Sequence, residues 1–269
     1  MPDDVPPGGG LAPRRPRAVL FREPVGYPPV VVRLDVLLAR NAGWSRTAAR
    51  AVIAEGRVQI GGTVVEDPRR EIAPEALPLV VVLDDEELPL HDRVTLALNK
   101  PLGCVTALRD PRHPTAYELL QEAPLFGELR PVGRLDLDTS GLLIWSTDGT
   151  EIQRLTHPKR AVPRTYQAAL AGPFGPLPAQ LVLDDGHEPK ISALETLPRE
   201  AAHPSLDVPA ETGALATITI IGGAYHEVRR IFAALGSHVL GLCRVSFGEV
   251  ALPRDLAPGE YQLLPNVRR

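Results

Sequence analysis

From Val31 onward the chain alternates apolar and polar positions in short, regular periods. Leu34, Leu37 and Leu38 follow the i, i+3, i+4 spacing of an amphipathic helix, which Asn41-Ala42-Gly43 ends. Ser45 is placed to cap a second helix that runs through Ile53 and stops at Gly56. Arg57-Val58-Gln59-Ile60, the turn Gly61-Gly62 and Thr63-Val64-Val65 then read as a tight hairpin. Helix, helix and hairpin make a compact module over residues 31–77. Residues 66–92 hold several prolines and the acidic run Asp84-Asp85-Glu86-Glu87, which predicts the close of that module and, over 78–92, a linker.

Over 93–269 the rhythm changes. Short apolar segments (VTLALN, GLLIWS, TYQAAL, ATITII, VLGLCRVSF) alternate with turn signals, and helical patches fall at Ala116 to Leu120 and Glu227 to Leu235. In the second patch Val228, Ile231, Phe232 and Leu235 form an apolar stripe, with Gly236 as its stop. This pattern predicts an α+β chain. A small helix-helix-hairpin domain precedes a larger domain built on a mostly antiparallel mixed sheet.

Composition narrows the class. The 269 residues are 44% hydrophobic and 23% charged, as in a globular protein large enough for two cores. No apolar run approaches the roughly 20 residues of a membrane-spanning helix, and no secretion signal precedes the first module. Residues 1–30, rich in Pro and Gly, read as a flexible arm, and a cytoplasmic location is expected. Cys104 and Cys243 lie far apart and read as buried thiols in a reducing compartment. Among the seven histidines, His91, His113, His187, His203 and His238 show no ligand spacing, so no metal is expected.

The net charge of -4 hides an asymmetry. Residues 1–70 hold 11 of the 29 Lys+Arg but only 7 of the 33 Asp+Glu, so the front of the chain is basic and the remainder acidic. A basic end suits docking on phosphates. Arg46 and Arg50 stand at i, i+4 on the second helix, where like charges destabilise one another unless an anion lies opposite, and Arg40 and Arg57 flank them. The stretch VRLDVLLARNAGWSRTAARAVIAEGRVQIGGTVV resembles the S4-type RNA-binding domain in its RLD opening, its SR before the second helix and its GRVxIxG hairpin.

GRLDLDTSGLL, at 133–143, sets Asp136 and Asp138 two residues apart. Its DxDxT-like string is similar to an aspartyl-phosphate nucleophile motif, but that chemistry requires a buried apolar strand directly before the first aspartate. Here Pro131-Val132-Gly133-Arg134-Leu135 stands instead, and an arginine beside a buried magnesium site would be costly. Asp138 and Thr139 fit an Asx turn bonded to local backbone.

Five segments in order carry a wider resemblance. LNKPLGCVTALRDPRHPTAYELL, GRLDLDTSGLLIWSTDG, LTHPKRAVPRTYQAAL, YHEVRRIFAALGSHVLGLCRVSFGEVAL and DLAPGEYQLL together resemble the pseudouridine synthases, in the branch that includes the small-subunit rRNA enzyme. The resemblance implies a cofactor-free isomerisation of uridine in RNA, with Asp136 as the catalytic carboxylate. It also implies Arg229 as the cation paired with Asp136 and Tyr166 as the ring that stacks on the extracted base. Arg33, Arg40, Arg46, Arg50, Arg57, Lys100, Arg134, Arg164, Arg230 and Arg244 are the expected RNA contacts.

The chain departs from the family pattern around the pocket. Arg164 stands where a lysine is usual, Gly222-Gly223 replaces Glu-Gly, Ala224 replaces Arg, and Glu227 replaces Gln. An acid at 227 calls for Arg229 or Arg230 to neutralise it. The function expected is isomerisation of one uridine in 16S rRNA by a monomer acting on ribosomal RNA or a pre-ribosomal particle, without membrane association. The alternatives are a large-subunit 23S rRNA enzyme and a non-catalytic rRNA-binding assembly factor.

Overall fold

The computed structural model describes residues 31–265, so the expected N-terminal arm lies outside the described residues. The small domain runs β1 (Val32–Arg33), α1 (Leu34–Ala42), α2 (Arg46–Ala54), β2 (Val58–Ile60), β3 (Thr63–Val65), β4 (Glu71–Ile72), β5 (Leu79–Leu83) and β6 (Glu86–Leu90). Both helices end as the spacing predicts. Gly43 closes α1 in the left-handed region at φ 69°, and the Ser45 hydroxyl accepts the Ala48 N–H at 3.1 Å to open α2. Leu34, Leu37, Leu38 and Ile53 are fully buried against the sheet β3-β2-β5-β6.

Residues 78–92, expected as a linker, are not one. They form a hairpin, β5 and β6, that pairs antiparallel with β2 and places Val81 and Leu90 in the small domain's core. The acidic run is the hairpin's tip. Asp84 and Asp85 both take positive φ, 50° and 71°, a conformation that aspartate tolerates and that matches the twist of the flanking strands.

The larger domain contains β7 (Thr95–Lys100), β8 (Arg130–Val132), β9 (Ser140–Ser146), α3 (Gly149–Thr156), β10 (Arg164–Leu170), β11 (Ile191–Thr196), β12 (Ala214–Ile220), α4 (Glu227–Ala234), β13 (Val239–Phe247), β14 (Val250–Ala251) and β15 (Tyr261–Leu263). Its sheet has the order β11-β12-β10-β13-β9-β7-β15, with β14 paired to β13 and β8 to β9. Every pairing is antiparallel except β13 with β9. All seven residues of β9 are buried because the sheet is covered on both faces. Leu143 and Trp145 point into one core, Leu142 and Ile144 into the other, as strand alternation requires. The helical patch expected at 116–120 is only a 3-10 turn, Glu118–Leu120, whereas α4 forms as read.

A polar seam joins the domains. The Arg40 guanidinium donates from Nε and Nη2 to both oxygens of Glu128 at 2.9 and 2.8 Å, and from Nη1 to Asp92 Oδ1 at 2.7 Å. Asn41 exchanges hydrogen bonds with the backbone of His91.

Candidate active site

The loop 133–139 leaves β8 at Gly133 and enters β9 at Ser140, and its shape is fixed by bonds to residues 100–106. Thr106, buried, holds Leu135 from both sides: its hydroxyl donates to the Leu135 carbonyl at 2.9 Å and accepts the Leu135 N–H at 3.0 Å. The Gly103 N–H donates to the Leu137 carbonyl at 2.9 Å, and Lys100 Nζ donates to the carbonyls of Thr139 and Pro101. A turn closes the loop, with the Thr139 N–H on the Asp136 carbonyl at 3.2 Å. The loop's backbone is therefore rigid while the Asp136 side chain stays 41% exposed.

Strand register assembles the rest. Tyr166 of β10 lies opposite Arg244 of β13, Arg244 lies opposite Gly141 of β9, and Gly141 lies opposite Lys100 of β7. These four positions form a row across four strands, directly under the loop. The row closes only because residue 141 has no side chain: a Cβ there would stand 2.4 Å from the Arg244 carbonyl oxygen and 2.7 Å from Cys243 Sγ. Arg244 is buried, with Nε on the Leu142 carbonyl at 2.8 Å, Nη1 toward the Arg134 carbonyl at 3.4 Å and its guanidinium carbon 5.2 Å from the Phe247 ring centre. Arg164 lies over the same ring at 4.6 Å.

Burial pushes the Lys100 ammonium below its usual pKa, with the nearby negative charges of Asp136 and Asp138 opposing the shift. Burial also pushes the Cys243 thiol up to about 11, so neither it nor the raised Cys104 is a thiolate at neutral pH.

The start of α4 faces the loop. His226, at φ 50° in the left-handed region, sets its Nε2 3.6 Å from Asp136 Oδ2. Arg229 was expected on Asp136; the structure pairs it with Asp138 instead. Its Nη2 lies 2.8 Å from Asp138 Oδ2 and donates to the Asp138 carbonyl at 3.0 Å. The Asp138 carboxylate thus serves as an anchor for α4 rather than as a local Asx turn.

Glu227 is also placed differently from the expectation. It is buried and touches neither arginine: Oε2 accepts the Ala224 N–H at 3.0 Å and Oε1 meets His187 Nε2 at 2.9 Å. Gly222 makes room for it, since a Cβ there would fall 2.9 Å from Oε2. Arg230 forms ion pairs with Asp184 and Asp185.

The expected RNA contacts divide by environment. Lys100 and Arg244 are fully buried and bonded to backbone carbonyls, so they shape the loop and do not face a phosphate. Arg40 belongs to the domain seam, and Arg57 is paired with Asp84 and Glu55. Arg134 is exposed within the loop itself, and Arg33, Arg46 and Arg50 gather on Asp35. Tyr166 is buried in the core that also holds Leu135 and Val228. Thr106 and His226 were not assigned roles from sequence; the positive φ of His226 has no sequence signal, and Thr106 looks like any strand-edge threonine.

Residues 94–234 match the family described as RNA pseudouridylate synthase, and residues 32–77 match the S4 domain. A ribosomal small subunit pseudouridine synthase A of Haemophilus influenzae is 35% identical, with 87% of this chain and 96% of that protein covered. The Escherichia coli protein of the same name is likewise 35% identical over 87% and 96%. A solved structure described as a pseudouridylate synthase is 32% identical with a TM-score of 0.51, over 87% of this chain and 96% of the other. The chain belongs to the RNA pseudouridylate synthase family, with an S4 domain ahead of the synthase domain.

Proposed function

We propose that the protein isomerises one uridine of small-subunit ribosomal RNA to pseudouridine, with Asp136 as the catalytic carboxylate. The observation that carries this reading is a loop whose backbone is fixed by Thr106, Gly103 and Lys100 while its Asp136 carboxylate remains open to a ligand. The relatives' names and the near-complete coverage of both chains support rRNA as the substrate.

The chemistry conserves every atom of the nucleotide. The C1′–N1 bond breaks, the uracil turns, C1′ bonds to C5, and the C5 proton leaves to solvent while N1 gains one. No oxidant or acyl carrier enters that balance. Asp136 attacks C1′ or removes the 2′ proton; Tyr166 stacks on the turning ring, which must first be drawn out of its helix. Arg229, anchored by Asp138, holds the start of α4 and with it His226 at the carboxylate. Arg134 and Arg164 supply positive charge near the carboxylate, and the small domain grips rRNA or a pre-ribosomal particle through phosphates. The reading includes a monomer acting in the cytoplasm.

Tritium release from C5-labelled uridine in a 16S transcript and in a reconstituted small-subunit particle tests it. Wild type should release tritium from at least one substrate, and Asp136→Asn should release none while binding RNA as wild type does. Background release by wild type from both substrates, with RNA bound, would instead identify a binding protein without turnover.

A further inference from the structure

Asp35 is a fully buried carboxylate that the reaction does not use. It sits in the first turn of α1, and three guanidinium groups converge on its Oδ2: Arg50 Nε at 2.7 Å, Arg46 Nε at 3.0 Å and Arg33 Nη2 at 3.0 Å. Its Oδ1 is buried with no hydrogen-bond partner, so among the described residues these arginines are the compensation for its charge. Burial alone would raise the Asp35 pKa; the bonds from Arg50 and Arg46 and the charge of Arg33 outweigh it and hold the carboxyl below its ordinary value.

The arginines gain from the arrangement as well. Three cations around one anion leave a local excess of positive charge, and Arg46 and Arg50, one turn apart, would repel each other without it. Both are about half exposed, at 48% and 46% of the side chain. Each uses only Nε on Asp35. Neither terminal nitrogen of Arg46 or Arg50 has a partner among the described residues, and in a planar guanidinium the Nε–H lies on a different edge from the paired terminal N–H groups. Two end-on forks are therefore held side by side with their donors free, and the group such a fork matches is a phosphate oxygen pair.

We propose that Asp35 is a positioning residue for RNA docking, assembling Arg46 and Arg50 into a clamp for the phosphodiester backbone before any RNA arrives. The proposal rests on the reading that the small domain grips RNA. It differs from a simple basic face in what it requires of the arginines. A basic face needs only charge, whereas the clamp needs a side chain that can bond Asp35 through one edge and phosphate through another. Lysine carries the charge and has no such second edge.

Filter binding of a 16S transcript between about 50 and 200 mM salt separates these cases. Arg46→Lys with Arg50→Lys preserves net charge on exposed positions; the clamp predicts affinity lower by about fivefold or more, with the loss appearing in KM for tritium release and not in kcat. Asp35→Asn removes a negative charge, so a basic face predicts tighter binding and the clamp predicts weaker. Should Asp35→Asn fail to fold by circular dichroism, the double lysine variant decides alone. Wild-type affinity in the lysine variant overturns the clamp. Arg46→Gln with Arg50→Gln distinguishes the deeper failure: if it too binds as wild type, the small domain's role in gripping RNA is wrong, whereas weak binding there with normal binding by the lysine variant rejects only the role of Asp35.

Discussion

Replacing Gly141 by alanine tests the packing that supports the candidate site. The new Cβ would lie 2.4 Å from the Arg244 carbonyl oxygen, 2.7 Å from Cys243 Sγ and 2.9 Å from the Arg244 nitrogen. Two of these are backbone atoms of β13 in mid-sheet, so a side-chain rotation cannot relieve the clash. Overpacking of this kind costs about 1–3 kcal/mol. Gly141 also has φ +98°, outside the regions that alanine adopts, which adds about 1–3 kcal/mol. A loss of about 2–6 kcal/mol is expected, enough to shift denaturant unfolding followed by the fluorescence of buried Trp145. The parallel β9–β13 contact has two register pairs, Cys243 with Ser140 and Arg244 with Gly141, and the substitution forces exactly that contact open. Activity should therefore fall further than stability, because Arg244 would leave the Leu142 and Arg134 carbonyls that it holds. Gly149→Ala, where nothing lies within 4 Å of the added carbon, is the control and should be near neutral. A Gly141→Ala protein within about 1 kcal/mol of wild type would refute the reasoning.

Thr106→Val keeps the shape of the side chain and removes the hydroxyl from between the Leu135 N–H and carbonyl; leaving that pair unsatisfied costs about 1–3 kcal/mol, and kcat for tritium release should fall with little change in RNA affinity. Unchanged kcat would show that the Asp136 loop does not need this pin. The Asp35 cluster gives an acid signature: its carboxyl is depressed in the folded protein, so its contribution is complete above the ordinary aspartate value of about 3.9 and is lost as pH falls through the lower, folded value. Unfolding free energy should decline in that window, and the decline should be shallower in Asp35→Asn; equal slopes in the two proteins would contradict the ion-pair assignment.

Much of this arrangement is legible in the sequence wherever local rules decide the outcome. Helices α1, α2 and α4 follow their apolar spacing, and Ser45, Gly43 and Gly236 punctuate them as read. The β5–β6 hairpin was not legible because its turn residues, Asp84 and Asp85, are also the composition of a solvated linker, and only the register with β2 tells the two apart. The candidate site shows the same division. Asp136, Tyr166 and Arg229 are readable as types within motifs, but which carboxylate Arg229 meets depends on where α4 begins relative to the loop, a distance that no local pattern encodes. Glu227 looked exposed to RNA because its neighbours are arginines. Its actual partners, His187 and the Ala224 N–H, come from a loop 40 residues away and from the turn before the helix.

The ten cations expected at RNA are better separated by what their N–H groups already hold than by where they lie in the chain. Lys100 and Arg244 hold backbone carbonyls and shape the Asp136 loop; Arg40, Arg57 and Arg230 hold carboxylates and fix one element to another; Arg46 and Arg50 hold a carboxylate by one edge and keep the other free. A chain of net charge -4 can grip a polyanion under these conditions, because binding depends on a few oriented donors and on local charge, not on the total. The seam through Arg40, Glu128 and Asp92 links the domain that carries those donors to the domain that carries Asp136. If the clamp seats one phosphate, the uridine that reaches the carboxylate must lie at a set distance along the folded RNA, so selection of the target follows from the spacing of the two sites, with no base read at the clamp itself.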